Sequence, residues 1–247
     1  MIVLKSPNEI AIIKQNGAIL RECFELARRI IAAGISRKEI DSQIERLIVS
    51  RGAKPAFKGF QGYPAATCIS VNDEVVHGIP DSRKLEEGDI VSIDIGTLKD
   101  GYYADAARTF PVGGISEEAE TLLRVTREGL DKGIEQARIG NRLSDIGHAV
   151  ESHVTGNGFS VVKALVGHGI GQQMHEEPQV PNFGAPGRGV VLEEGLVLAI
   201  EPMVNIGGSD VFTKGDGWTV VTADRSLSAH FEDTVAITTD GPKLLTR

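Results

Sequence analysis

The chain has 247 residues, of which 41% are hydrophobic and 24% charged, proportions that exclude wholesale disorder and fit one large or two small domains. No stretch approaches the ~18 consecutive apolar residues of a membrane helix, and the start, MIVLKSPNEIAII, lacks the basic and apolar regions of a secretory leader. The net charge of −8 is opposite in sign to a nucleic-acid footprint, and two cysteines, Cys23 and Cys68, exclude a disulfide scaffold and a paired-cysteine zinc module while suiting a reducing cytoplasm.

The first predicted element is a helix. Ser6-Pro7-Asn8-Glu9 has capping-box spacing with proline at the first helical position. Ile12, Ile13, Ile19, Leu20, Phe24 and Ile30 continue its apolar face until Gly34. A second box, Ser36 to Glu39, opens a helix through Ile40, Ile44, Leu47 and Ile48 that ends at Gly52. The period then changes, and Ala66–Asn72, Ile90–Leu98 and Tyr102–Phe110 predict strands. A second helix pair is predicted over about Glu117–Arg138 and Ser144–Thr155, stopped by Gly156 and Gly158. Strands return at Ser160–Val162, Leu196–Ile200, Trp218–Thr222 and Thr234–Thr238. This order predicts an α+β layout in which two similar halves share one sheet. Asn182–Gly189, with Gly184, Gly187 and Gly189 around Pro186, reads as an exposed loop.

Two aspartates share a predicted hairpin. Asp100-Gly101 is a two-residue turn signal. Counting back from that turn sets Asp94 opposite Ala107, with Asp105 two residues from Ala107 and hence on the same face. As diagonal neighbours they stand ~7–8 Å apart at the backbone, and two such carboxylates repel unless a cation or proton lies between them. Val91, Ile93 and Ile95 must then point to the other, buried face. A hairpin with one wet, acidic face is the alternative.

Downstream, Gly167-His168-Gly169-Ile170-Gly171 surrounds a histidine with glycines that permit close approach of a ligand or another segment. A Gly-rich turn with a polar histidine fits equally. Met174-His175-Glu176-Glu177-Pro178 follows. Glu201 ends an apolar run and precedes Pro202, where a buried charge is costly unless paired or liganded. Glu232 sits just before a strand and reads alone as an ordinary strand-end acid. His77 lies on a turn after a short apolar stretch. His148 and His153 read as helix-surface or packing residues, and His230, close to Glu232 in sequence, is open to a place behind that acid but is assigned no role.

Asp94, Asp105, His168, Glu201 and Glu232 together resemble the five-ligand dinuclear metal set of the methionine aminopeptidases. The motifs CISVNDEVVHGIP, GDIVSIDIGTLKDGYYADAARTF, GHGIG followed by MHEEP, AIEPM, KGDGWTV and SLSAHFEDTVAIT occur in the family's order over nearly the whole chain. The resemblance implies the pita-bread fold, two pseudosymmetric halves around a curved antiparallel sheet, with residues 1–247 as a single catalytic metallopeptidase domain. Glu201 and Glu232 are 31 positions apart, too close for the helical insertion of the type II enzymes, so the chain resembles the short bacterial type I form. Phe57, Phe60 and Met174 depart from residues common in close relatives.

The resemblance also implies the chemistry. Two divalent metal ions (Co, Mn, Fe or Zn) would be held, one by Asp105, His168, Glu201 and Glu232, the other by Asp94, Asp105 and Glu232. They would supply hydroxide for attack on the first peptide bond. Glu201 would shuttle the proton, His175 would stabilise the oxyanion and His77 would hydrogen-bond near the scissile amide. Tyr63, Cys68, Phe60, His77, His175 and Trp218 would bind the substrate, plain core packing being the alternative for Trp218. The expected activity is that of a metalloaminopeptidase. It would remove the N-terminal methionine from peptides and nascent chains, before a small second residue, as a cytoplasmic monomer near the ribosome, with no DNA or membrane partner. Two alternatives stand beside it: a proline-directed peptidase on the same fold, and a metal-free relative that binds protein or RNA.

Overall fold

The computed structural model describes residues 1–247. Its helices are α1 (Pro7–Ile30), α2 (Arg37–Ser50), α3 (Glu117–Gln136) and α4 (Leu143–Gly156). Its strands are β1 (Lys54–Pro55), β2 (Cys68–Val71), β3 (Glu74–Val76), β4 (Ile90–Lys99), β5 (Tyr102–Pro111), β6 (Ser160–Val161), β7 (Gly167–Gly169), β8 (Glu176–Val180), β9 (Val197–Ile200), β10 (Met203–Asn205), β11 (Val211–Thr213), β12 (Val220–Thr222), β13 (Ser228–His230), β14 (Glu232–Thr238) and β15 (Gly241–Leu244). The four predicted helices are present. The first capping box is complete, the Ser6 hydroxyl accepting from the Glu9 N–H and Glu9 accepting from the Ser6 N–H. At the second, the Ser36 hydroxyl accepts from the Glu39 N–H at 3.2 Å.

The main sheet has nine strands in the order β1-β4-β5-β14-β9-β7-β8, with β2 beside β4 and β15 beside β14. Every pairing is antiparallel. The β4–β5 ladder has the register set by the Asp100-Gly101 turn, including Asp94 opposite Ala107. Helices α1 and α2 cover one half of the sheet, packing Ile13, Leu20, Ile40 and Ile44 against Val91, Ile93 and Ile95. Helices α3 and α4 cover the other half, packing Leu122, Leu130, Ile146 and Val150 with Leu198, Ile200 and Val235. Two three-stranded sheets, β13-β10-β6 and β11-β12-β3, complete the fold. The layout is the expected α+β pita-bread arrangement. Between Glu201 and Glu232 lie four short strands and no helix.

The alternative of a wet, acidic hairpin face is excluded. The aspartate face of the hairpin is not wet: Ser92, Asp105, Ala107 and Thr109 are all buried. The sheet is covered on both faces, so acid alternating with apolar residues here marks two different interiors rather than inside and outside.

Candidate metal centre

Sheet register brings the five predicted ligands onto two neighbouring rungs. The first carries Gly96 opposite Asp105, then Thr234, Ala199 and His168 across the sheet. The Thr234 hydroxyl joins β14 to β5 here, donating to the Asp105 carbonyl at 2.7 Å and accepting from its N–H at 3.1 Å. The second carries Asp94, Ala107 and Glu232 in line, with Glu201 following Ile200 at the end of β9. Small residues at Gly96, Ala107 and Ala199 leave the space between the acidic side chains open. One ligand atom from each of Asp105, His168 and Glu232 lies within 4.8 Å of the others, and His168 Nε2 is 3.6 Å from Glu201 Oε1.

The electrostatics of this cluster are unfavourable without a cation. Burial pushes Asp94 up to about 7 and Glu201 up to about 8. Asp105 and Glu232 stand well above the carboxylate range, burial being the main cause and neighbouring carboxylates adding to it. Asp94 Oδ1, Asp105 Oδ1 and Glu232 Oε1 are buried with no hydrogen-bond partner. Burial likewise depresses His168 to about 4, with the His175 ring adding to the effect, so its imidazole is neutral and free to ligate. Four carboxylates and a neutral imidazole form the donor set of a hard or borderline divalent metal, and these orphaned atoms fit such ions.

Beside the cluster is a cavity of about 150 Å³ lined by Phe57, Phe60, Tyr63, Cys68, Met174 and Trp218, with Asp94, Asp105, His168, Glu201 and Glu232 at its other end. That is the size of a cavity that accepts one benzene. The Tyr63 hydroxyl donates to the carbonyls of Thr67 and Gly78 at 3.1 and 2.9 Å, turning its ring to the cavity as an apolar wall. Trp218 packs edge-on against Tyr63, ring centres 5.1 Å apart, and is half-buried at the cavity rather than lost in the core. It precedes β12, whose predicted start was two residues early. Burial raises the Cys68 thiol well above its ordinary value, so it lines the wall as a neutral group.

Two further histidines border both this cavity and a larger groove of about 680 Å³. His175 stands edge-on to His168 at 4.4 Å and to Phe60 at 5.4 Å, and burial lowers its pKa. His77 has φ of 58°, a backbone state that costs a non-glycine residue about 1–3 kcal/mol and gathers at functional sites. Burial lowers it to about 4, so it too is neutral. Both can donate a hydrogen bond without carrying charge.

Three features were missed or left unassigned by sequence reasoning. His230, given no role, is buried beside Glu201, with Nε2 at 3.7 Å from Glu201 Oε2. Gly96 drew no reading from the sequence, yet a Cβ there would lie 2.8 Å from Phe57, 2.9 Å from Ala56 and 3.1 Å from Met174. Asn182, placed at the start of an exposed loop, is fully buried and donates to the Glu201 carbonyl at 3.2 Å. The exposed part of that loop is Ala185–Gly189. His148 and His153 lie on α4 as predicted, bonded to the Gly184 carbonyl and to Glu128.

Comparison with known proteins agrees with this geometry. The model of metallopeptidase family M24 matches residues 11–239. A methionine aminopeptidase of Clostridium perfringens is 55% identical over 246 residues, covering 100% of this chain and 99% of the relative. The crystal structure of methionine aminopeptidase from Thermotoga maritima superposes with a TM-score of 0.98 at 46% identity and complete coverage of both chains. The prolidase from Pyrococcus furiosus is more distant, with a TM-score of 0.80 and 27% identity over 99% of this chain and 65% of that one. Carboxylates and histidine gathered on two rungs, a small apolar cavity beside them, and full-length similarity lead to one conclusion: the chain belongs to metallopeptidase family M24, and within it to the methionine aminopeptidases.

Proposed function

We propose that this chain removes the N-terminal methionine from peptides and nascent proteins, with Asp94, Asp105, His168, Glu201 and Glu232 holding two divalent metal ions. The observation that carries the reading is the set of buried carboxylate oxygens without partners at the end of an apolar cavity. Asp105, His168, Glu201 and Glu232 would hold one ion, and Asp94, Asp105 and Glu232 the other. When bound, such ions lower the pKa of water into the neutral range and polarise the scissile carbonyl.

The remaining work falls to the chain itself. Glu201 takes a proton from the attacking water and passes it to the leaving amine. Neutral His175 donates a hydrogen bond to the developing oxyanion, and His77 holds the scissile amide. Phe60, Tyr63, Cys68 and Trp218 enclose the methionine side chain and exclude water. Crowding beside the carboxylates favours a small second residue. The whole of residues 1–247 acts as one catalytic unit. Its two cysteines are free and buried, which suits a reducing compartment, and the proposal extends to a monomer working in the cytoplasm on chains emerging from the ribosome.

The test is hydrolysis of Met-Ala-Ser by chelated protein and by protein reloaded with Mn²⁺, Fe²⁺, Co²⁺ or Zn²⁺. Chelation should abolish cleavage and at least one metal should restore it, with X-Pro peptides left intact. Full activity in exhaustively metal-free protein, or faster cleavage of X-Pro peptides, would overturn the reading.

A further inference from the structure

The position of His230 follows from the ladder. One rung beyond Asp94, Ala107 and Glu232 are Ser92 and Thr109, whose hydroxyls bond at 2.8 Å. The His230 N–H donates to Thr109 Oγ1 at 2.9 Å, and the Thr109 hydroxyl donates to the His230 carbonyl at 2.8 Å. Phe231 joins the apolar cluster of the second half, so alternation turns His230 and Glu232 together toward the centre. His230 is 1% exposed and its Nε2 has no hydrogen-bond partner. A buried polar atom left unpaired costs about 1–3 kcal/mol, and the nearest acid is Glu201. Its carboxylate lies between two imidazoles: His168 Nε2 is 3.6 Å from Oε1, and His230 Nε2 is 3.7 Å from Oε2.

We propose that His230 is the positioning residue for Glu201. Its Nε2–H donates to Oε2 and holds the carboxylate so that Oε1 faces the reacting water. The inference rests on Glu201 as proton shuttle and His168 as metal ligand, since a liganded His168 Nε2 cannot orient Glu201. The present separation exceeds a formed hydrogen bond of about 2.9 Å, and such contacts tighten when the reacting complex assembles.

Two variants and one spectrum test this. His230→Gln keeps an N–H at a similar reach, whereas His230→Leu keeps the bulk and loses the donor. With Met-Ala-Ser, His230→Leu should lower kcat by about 10–100-fold, with KM and metal content close to wild type. His230→Gln should stay within about threefold of wild type, a donor being retained. In zinc-loaded wild type, ¹⁵N NMR should place the ring proton of His230 on Nε2. Unchanged kcat in His230→Leu would overturn the proposal. So would equal losses in both variants with equally lowered Tm, which would mark a packing role, or a proton found on Nδ1. Should His230→Leu fail to fold, the glutamine variant and the spectrum decide. Inactive wild type would refute the peptidase reading instead, a result separable from all of these.

Discussion

Glu232 and Asp233 are adjacent, both buried, and face opposite sides of the central sheet. On the helix side, Asp233 Oδ1 accepts from Arg108 at 2.6 Å and from Thr246 at 2.8 Å, and its Oδ2 accepts from Arg247 at 2.5 Å. On the other side, Glu232 Oε1 has no partner, nor do Asp94 Oδ1 and Asp105 Oδ1. Burial alone therefore does not distinguish a structural acid from a functional one. Asp233 is neutralised by the fold and ties β14 to β5 and the C-terminus. The acids of the opposite face are desolvated without compensation, an arrangement a protein keeps only where a cation or a proton supplies what is missing.

Several measurements would break or sharpen this contrast. The largest effect is expected for Glu201→Gln, which keeps the shape but cannot carry a proton; kcat should fall by about 10²–10⁴ while at least one metal stays bound. Asp94→Asn should differ by loosening a metal and raising KM as well. Steady-state kinetics with metal analysis would tell them apart, and near-wild-type kcat in Glu201→Gln would remove it from the chemistry.

Across the sheet the outcome should reverse. Asp233→Asn should cost about 3 kcal/mol in stability, because partly buried Arg108 loses its carboxylate partner while Arg247 keeps Asp131, with metal binding retained. Glu232→Gln should lose metal yet leave the metal-free protein no less stable at pH 8. Denaturant titration of both chelated variants checks this, and equal destabilisation would erase the distinction between the faces.

Next in size is the histidine pair that meets edge-on. His175→Ala should lower kcat by about 10²–10³ with near-normal metal content, the scale of one lost oxyanion donor, whereas His168→Ala should lose metal. Similar metal loss in both would invalidate the division of roles. Gly96→Ala should cost about tenfold in kcat/KM for Met-Ala-Ser by narrowing the cavity. Unchanged kinetics would mean that Phe57 and Ala56, the nearest neighbours at 2.8 and 2.9 Å, give way without narrowing the cavity.

The smallest effect concerns pH. In metal-free protein Asp94 and Glu201 titrate near 7 and 8 rather than at their ordinary 3.8 and 4.5. A carboxylate raised on folding contributes stability that is complete below its unfolded value and lost as pH rises through the folded one. His77, His168 and His230, depressed from 6.5 to about 4, act in the opposite sense and only below 6.5. The Tm of chelated protein should therefore fall between about pH 6.5 and 8.5, each kcal/mol lost amounting to about 2–4 °C. A Tm that is flat or rises over that range would contradict the raised carboxylates.

Much of this centre is legible before folding, and the reason is local. The hairpin register depends on a two-residue turn, so Asp94 and Asp105 can be set on one face by counting. The helices announce themselves through caps and apolar spacing. Strand β7 does not: Gly-His-Gly has no strand propensity, and it pairs because a Cβ at Gly167 or Gly169 would lie 2.3 Å from the carbonyl of Ala199 or Glu177. The place of His230 was not decided by the sequence for a related reason, since β13 is three residues long and takes its facing from β10 and from Thr109, 121 residues earlier.

From the sequence alone came the residue set, by resemblance to a family, and the geometry of the one pair of acids joined by a tight turn. Only the tertiary structure decided that β5, β14, β9 and β7 lie side by side, which sets Glu232, Glu201 and His168 on the rungs of those two aspartates. Alternation along a strand is a local property, readable from neighbours. Which distant strands become neighbours is decided by the two apolar clusters the helices bury, and with it which buried acids find an arginine and which face the cavity.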